Sequence, residues 1–287
     1  MKNEKNKVAF LSVIAAVFLT GFKLVVGIIT GSLGILSEAL HSGLDLVAAL
    51  ITYISVKISD KPADENHHFG HGKIENLSAL FETILLLITC FWIIYEAVSR
   101  LLSGETHVEV TVWSFVVVIS SIVIDYSRSR ALKRVAKKYN SQALEADAMH
   151  FSTDIWSSLV VLLGLIFAHF GWFFADSVAA LVVGFIVIYV SYKLGRRAID
   201  ILLDKAPLST YAVIEKAIRG ISEISHFHDI KIRSAGADTF VELNIHVKPD
   251  LNIKEAHQIA HKAEQEILRV VERCEVHIHI EPEESNN

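Results

Sequence analysis

Six apolar stretches precede residue 205, at roughly 8–29, 34–57, 77–100, 108–127, 145–170 and 174–195, and each is long enough to cross the hydrocarbon of a bilayer. Backbone polar groups in hydrocarbon must be satisfied within their own segment, so each stretch is constrained to be a helix. The fourth is the weakest. Its uncharged core runs only from Val110 to Ile124, and Asp125 must face protein or the membrane interface. Lys23, in the first stretch, is expected to face the bundle interior or to snorkel. Gly164, Gly184 and Gly195 permit close helix approach in the last two stretches. The first stretch is too long for the apolar core of a secretion signal and ends in no clean cleavage site, so it reads as a span.

Positive charge alternates between the connecting segments. Lys2, Lys5 and Lys7 precede the first span, and Lys61 and Lys73 lie between the second and third, with Lys57 at the edge. Arg128, Arg130, Lys133, Arg134, Lys137 and Lys138 lie between the fourth and fifth; Lys193, Arg196, Arg197 and Lys205 end or follow the sixth. The intervening loops, near 30–33, 101–107 and 171–173, carry no Lys or Arg, and only Arg100 borders one. Excess Lys and Arg marks the cytoplasmic side, so both termini are expected there, in a plasma (inner) membrane. The formal net charge of −5 does not suggest a nucleic-acid partner. Cys90 and Cys274 are far apart and form no CxxC motif, which argues against a disulfide framework or a thiolate zinc site.

Residues 1–205 therefore read as a six-helix membrane domain and 206–287 as a small soluble one. In the second, Pro207 precedes a helix expected over 209–220, with Ser209 as its N-cap. His228–Arg233 and Phe240–Val247 alternate as strands around a turn containing Gly236. Ile253–Val271 has helical amphipathic spacing, Glu275–Ile280 is a last strand, and 282–287 is a polar tail. The order αββαβ predicts a three-stranded sheet with two helices on one face. So small a core gains from dimerisation.

His41 and Asp45 are four residues apart inside one apolar stretch, and so are His150 and Asp154 inside another. On a helix each pair shares a face one turn apart. Two such helices facing each other supply two imidazoles and two carboxylates, a set that suits a tetrahedral divalent metal such as zinc. Ionisable groups inside a membrane mark ion paths. An imidazole titrates near pH ~6.5 in water, so protons compete with metal for such a site and metal–proton exchange becomes possible. An intramembrane metalloenzyme would need an open coordination position and a general base. The set looks closed at four ligands and HExxH is absent; Glu38, near His41, is the only recruitable base noted, so the reading is not an enzyme.

Two further groups have metal-ligand character. Asp64, His67 and His71, spaced D-x-x-H-x-x-x-H, suit three-ligand binding with an open position. In the soluble part, His279 and Glu281 share a strand face, and His228 and His246 sit on neighbouring expected strands. His226, His261 and His277 are histidines without an assigned role.

Ser37-Glu-Ala-Leu-His41-Ser-Gly-Leu-Asp45, Asn66-His-His-Phe-Gly-His-Gly-Lys73 and Asp147-Ala-Met-His150-Phe-Ser-Thr-Asp154 together resemble the motifs of the cation diffusion facilitator family, proton-coupled exporters of divalent metals. The resemblance covers essentially the whole chain. It implies a transport site at His41, Asp45, His150 and Asp154, and a secondary metal site at Asp64, His67 and His71. It also implies a two-metal site at His228, His246, His257, His279 and Glu281 that joins the soluble, metallochaperone-like domains of a homodimer. Glu281 departs from the family's shorter Asp. His at position 41, where some members have Asp, implies zinc rather than cadmium. Lys73 and Asp204 match a charge pair near the family's dimer interface. The expected substrates are Zn2+ and protons, with iron, cobalt or manganese as the alternative ions; affinity order favours zinc over manganese and iron.

Overall fold

The structure is a computed structural model that describes residues 2–31, 33–103, 112–169 and 174–283. Expectations that fall on 104–111, 170–173 and 284–287 lie outside the described residues. Six long helices come first: α1 (Lys2–Thr30), α2 (Leu33–Ser59), α3 (Lys73–Ser103), α4 (Val112–Tyr139), α5 (Gln142–His169) and α6 (Phe174–Leu202). A short helix, α7 (Leu208–Arg219), then leads into β1 (His226–Ala235), β2 (Asp238–Val247), α8 (Ile253–Val270) and β3 (Cys274–Pro282).

The helices run past their apolar stretches. The basic segment 128–138, read as part of a connection, is the last three turns of α4. Lys and Arg are good helix formers, and charge alone does not end a helix. Asn140 does, at φ 50 and so in the left-handed region, after which α5 begins at Gln142. Similarly, the basic N-terminus is already helical from Lys2. Among the described residues, Glu4–Thr30, Glu38–Ser59 and Lys73–Ser99 are long and apolar enough to cross a membrane.

The chain divides into two compact units, one of Met1–Lys61 and Ile74–Ile199, the other of Pro62–Lys73 and Asp200–Asn287. In the first, the usual pattern of a water-soluble protein is inverted. Ile28, Ile29, Trp92, Phe185 and Tyr189 are exposed, while Lys5, Ser12, Lys23, Asp45, Thr52, Glu82, Asp125, Arg128, Asp147 and His150 are buried. Apolar solvent around the bundle accounts for both halves of that pattern. Alanines at 9, 16, 49, 136, 143 and 148 let α1, α2, α4 and α5 close around Leu132, Leu144 and Phe151.

One end of this bundle is tied by a buried cation. Lys5 Nζ lies 2.7 Å from Asp60 and 2.9 Å from Glu75, whose carboxylate also accepts from Ser59 and Ser141. Lys5→Met leaves two largely buried carboxylates without their cation, which costs about 3–5 kcal/mol. The expected result is a markedly lower thermal midpoint of the detergent-solubilised protein, against little change for the exposed Lys7→Met.

The second unit holds a three-stranded sheet of order β1-β2-β3. β1 and β2 form an antiparallel hairpin that turns through Gly236 at φ +64. β2 and β3 are parallel, and α8 supplies the crossover that parallel strands require. Val241, Leu243, Ile245 and Val247 present one face of β2 to a core shared with Ile214 and Ile218 of α7 and Ala260, Ala263 and Ile267 of α8. An Asn252–Glu255 capping box starts α8. The start of α7 differs from expectation. The helix begins at Leu208 with Pro207 in the N-cap position and no side-chain cap, because the Pro207 carbonyl already accepts the Tyr211 N–H. Ser209 therefore lies inside the first turn.

Pro62–Lys73 also packs within this unit. The Arg233 guanidinium sits 3.7 Å over the Phe69 ring, and Phe240 meets Phe69 edge-on at 5.2 Å. Gly72 lies directly against the Ala235 carbonyl, with no room for a Cβ.

Candidate functional site

α2 and α5 bring the two His-x-x-x-Asp pairs face to face. His150 Nε2 is 3.0 Å from Asp45 Oδ1 and 3.7 Å from Asp154 Oδ2; His41 Nε2 is 3.8 Å from Asp154 Oδ1. One atom each of His41, Asp45 and Asp154 lie within 4.8 Å of one another. His150 is buried, as is Asp45, while His41 is partly open. His150 Nδ1 and Asp154 Oδ2 have no hydrogen-bond partner. His41, Asp45 and Asp154 thus form a nitrogen- and oxygen-rich cluster of the kind a divalent metal accepts, and His150 adjoins it through Asp45 and Asp154. Beyond them, Lys23 Nζ reaches Glu38 at 3.1 Å and Ser42 at 2.8 Å, so the expected inward-facing Lys23 does face protein.

Asp64, His67 and His71 also cluster. Asp64 Oδ1 is 3.2 Å from His67 Nδ1, and Asp64 Oδ2 is 3.3 Å from His71 Nε2. The local backbone builds this arrangement: the N–H groups of His67 and Asn66 donate to Asp64 at 2.8 and 3.0 Å. Those bonds hold the Asp64 carboxyl below the usual carboxylate range. His68 turns away, toward the Glu65 carbonyl at 3.1 Å. His71 Nδ1 is buried without a partner.

On the sheet, register does the assembling. His246 pairs with Glu281 across β2 and β3, and His226 pairs with His246 across β1 and β2. His228 Nε2 and His246 Nε2 are 3.0 Å apart, and each is 3.2 Å from Glu281 Oε2. Two imidazole nitrogens that close need either a shared proton or a shared cation. His279 stands 3.6 Å from the other carboxylate oxygen. The His228 imidazole leads the groups that hold the Glu281 carboxyl below the ordinary carboxylate range. His257, the fifth expected ligand, is not brought in. It lies on the exposed face of α8 and stacks on His261 at 6.3 Å.

Two contributors were missed in the sequence. Asn244 Nδ2 donates to Glu281 Oε1 at 2.9 Å and orients the carboxylate. It shares a strand face with His246, and that alternation was the available signal. His226 stacks on His228, with ring centroids 5.9 Å apart, and meets His246 at a tilt, 5.5 Å away. Lys73 Nζ meets Asp204 at 2.7 Å, joining the charge pair expected between them.

Residues 9–203 match the cation efflux transmembrane domain family, and residues 206–283 match the cytoplasmic domain of cation efflux proteins. An uncharacterized transporter of Methanocaldococcus jannaschii is 35% identical over 280 residues, covering 96% of this chain and 99% of that one. The cation-efflux pump FieF of Escherichia fergusonii is 30% identical, covering 88% and 84%. FieF of Shewanella oneidensis is 29% identical, covering 94% and 92%. The two matches together run from residue 9 to residue 283, a transmembrane part followed by a cytoplasmic one, and the chain belongs to the cation diffusion facilitator family of divalent-metal efflux transporters.

Proposed function

We propose that this protein is a homodimeric exporter that moves Zn2+ out of the cytoplasm in exchange for protons. All six long helices span the membrane, with both termini on the cytoplasmic face. The observation that carries the reading is the convergence of His41, Asp45, His150 and Asp154 from α2 and α5 in the interior of the bundle. Two carboxylates balance the charge of a divalent ion, and two imidazoles supply borderline-soft donors that favour zinc over harder ions. Protonation of the same imidazoles expels the metal, so one conformation binds it and another releases it against a proton load. Thiolate ligands would hold zinc more tightly than turnover allows.

Full-length protein in proteoliposomes tests this directly. Zn2+ uptake is expected to follow an imposed pH gradient and to exceed uptake of Mn2+, Fe2+, Co2+ and Cd2+. Uptake indifferent to the gradient removes the exchange, and equal uptake of every ion removes the zinc assignment.

The sheet cluster is the proposed cytosolic metal site that links two copies, with His257 contributed at the interface. His246→Ala is expected to weaken metal binding there at least about tenfold, as loss of a ligand does, while the membrane site keeps its affinity. Calorimetric titration of both sites decides. Without metal, the carboxyl of Glu281, depressed in the folded state, adds stability above the ordinary Glu range that is lost as pH falls through its folded value. The thermal midpoint of Glu281→Gln should therefore differ from wild type at pH 7 and converge with it in acid.

A further inference from the structure

Glu82, on α3, is one of several ionisable groups in the interior of the membrane unit apart from the four ligands. It is 2% exposed, and its hydrogen-bonding neighbours are hydroxyls: Thr52 on α2 donates to Oε1, and Ser78 lies 3.4 Å away on its own helix. Its second oxygen, Oε2, has no hydrogen-bond partner. Among the described residues, no Lys or Arg forms an ion pair with it. The charged groups within Coulombic reach are Asp147 and His150, both on α5. Asp147 is fully buried, one turn before His150, and its Oδ1 also lacks a partner. Its other oxygen accepts from Ser12, which in turn receives Arg128 Nη2 at 3.2 Å. Arg128 is shared with Asp125 at 3.1 Å. Arg128 is thus committed to the Asp125–Asp147 side, and among the described residues Glu82 has no Lys or Arg partner, with His150 the one basic group in Coulombic reach.

A buried carboxylate with only hydroxyl neighbours and a like charge facing it is too costly to remain ionised. A proton removes that cost and leaves the Thr52 contact intact. We propose that Glu82 carries a transported proton: neutral when closed off as in this structure, it gives the proton up when the bundle opens to the cytoplasm and regains it from the opposite side. This rests on the metal–proton exchange proposed above and adds a proton site outside the metal ligands. No bond to the metal is involved; the carboxylic O–H loses its proton to water on one side and takes one from water on the other.

Glu82→Gln keeps the size of the neutral acid and its hydroxyl contacts. In proteoliposomes with paired metal and pH indicators, the variant should still move Zn2+, with the protons moved per ion reduced by about one. Glu82→Asp should restore the ratio. A wild type that moves no protons sinks both this assignment and the exchange; a wild type that does, beside an unchanged ratio in Glu82→Gln, overturns Glu82 alone. Protonation is also read without turnover. The infrared difference between wild type and Glu82→Gln in detergent should contain the carbonyl stretch of a carboxylic acid, and a carboxylate signature in its place overturns the proposal. So does a Zn2+ titration in which Glu82→Gln binds one ion fewer, since Glu82 would then be a ligand.

Discussion

Asp154→Ala is expected to transport no metal above background, a loss on the order of 100-fold or more. Asp154 is the hub of the membrane cluster. Oδ1 faces His41 at 3.8 Å and Oδ2 faces His150 at 3.7 Å, so a single truncation removes the group that relates both histidines. Asp45, 3.0 Å from His150, then remains as the one carboxylate, and a divalent ion would sit in a low-dielectric interior with a single compensating charge. Asp154→Asn should fare little better, because it keeps the shape and loses the charge. Asp154→Glu should retain partial transport with weaker binding, since the extra methylene displaces the carboxylate without removing it. Ion uptake by each variant, on protein shown to be folded by its elution and helical circular dichroism, checks the series. Near wild-type uptake by Asp154→Ala places the transported ion elsewhere.

Gly72→Ala is expected to be nearly as damaging to a different part of the molecule. A Cβ at residue 72 overlaps the Ala235 carbonyl and crowds the Gly236 N–H. Both are backbone atoms in a tight hairpin, and Gly236 already uses a positive φ of 64 that other residues rarely adopt. Neither side can yield cheaply, so the segment must lift from the hairpin. Overpacking of this kind costs about 1–3 kcal/mol. It also separates Phe69 from Arg233 and Phe240, and moves His71, one residue earlier, away from Asp64. Metal affinity at Asp64, His67 and His71 should fall, while the affinity of His228, His246 and Glu281 is preserved. Phe69→Ala offers a milder companion, with the packing lost and no clash introduced. If Gly72→Ala binds metal at this cluster as wild type does, the segment is not held by the hairpin.

The two His–Asp pairs of α2 and α5 could be seen in the sequence because their logic is local. An interval of four on one helix fixes a shared face, and an apolar context makes a His or Asp conspicuous. The sheet cluster was partly visible for the same reason, since alternation placed His279 with Glu281. What stayed hidden depends on which strands and helices meet. Nothing near Glu281 announces that Asn244 will orient it, and Glu82 meets Thr52 only because α2 and α3 pack together. His257 failed to join because, within one chain, α8 turns it outward. The basic run 128–138 connects two expected spans yet is helical, because charge marks the edge of the apolar stretch while Lys and Arg still favour a helix. Ser209 lost its capping position to Pro207, one helical start replacing another a residue earlier.

The partition of the chain carries a mechanical consequence. The polypeptide passes between the two units at three places, after Lys61, after Lys73 and after Ile199. A body hung on one flexible strand keeps three rotational degrees of freedom; one hung on three keeps far fewer. The Lys73–Asp204 pair further couples the residue that starts α3 to the segment leaving α6. The first crossing follows α2, which bears His41 and Asp45, and the other two fall within the first turn of α3 and the last turn of α6.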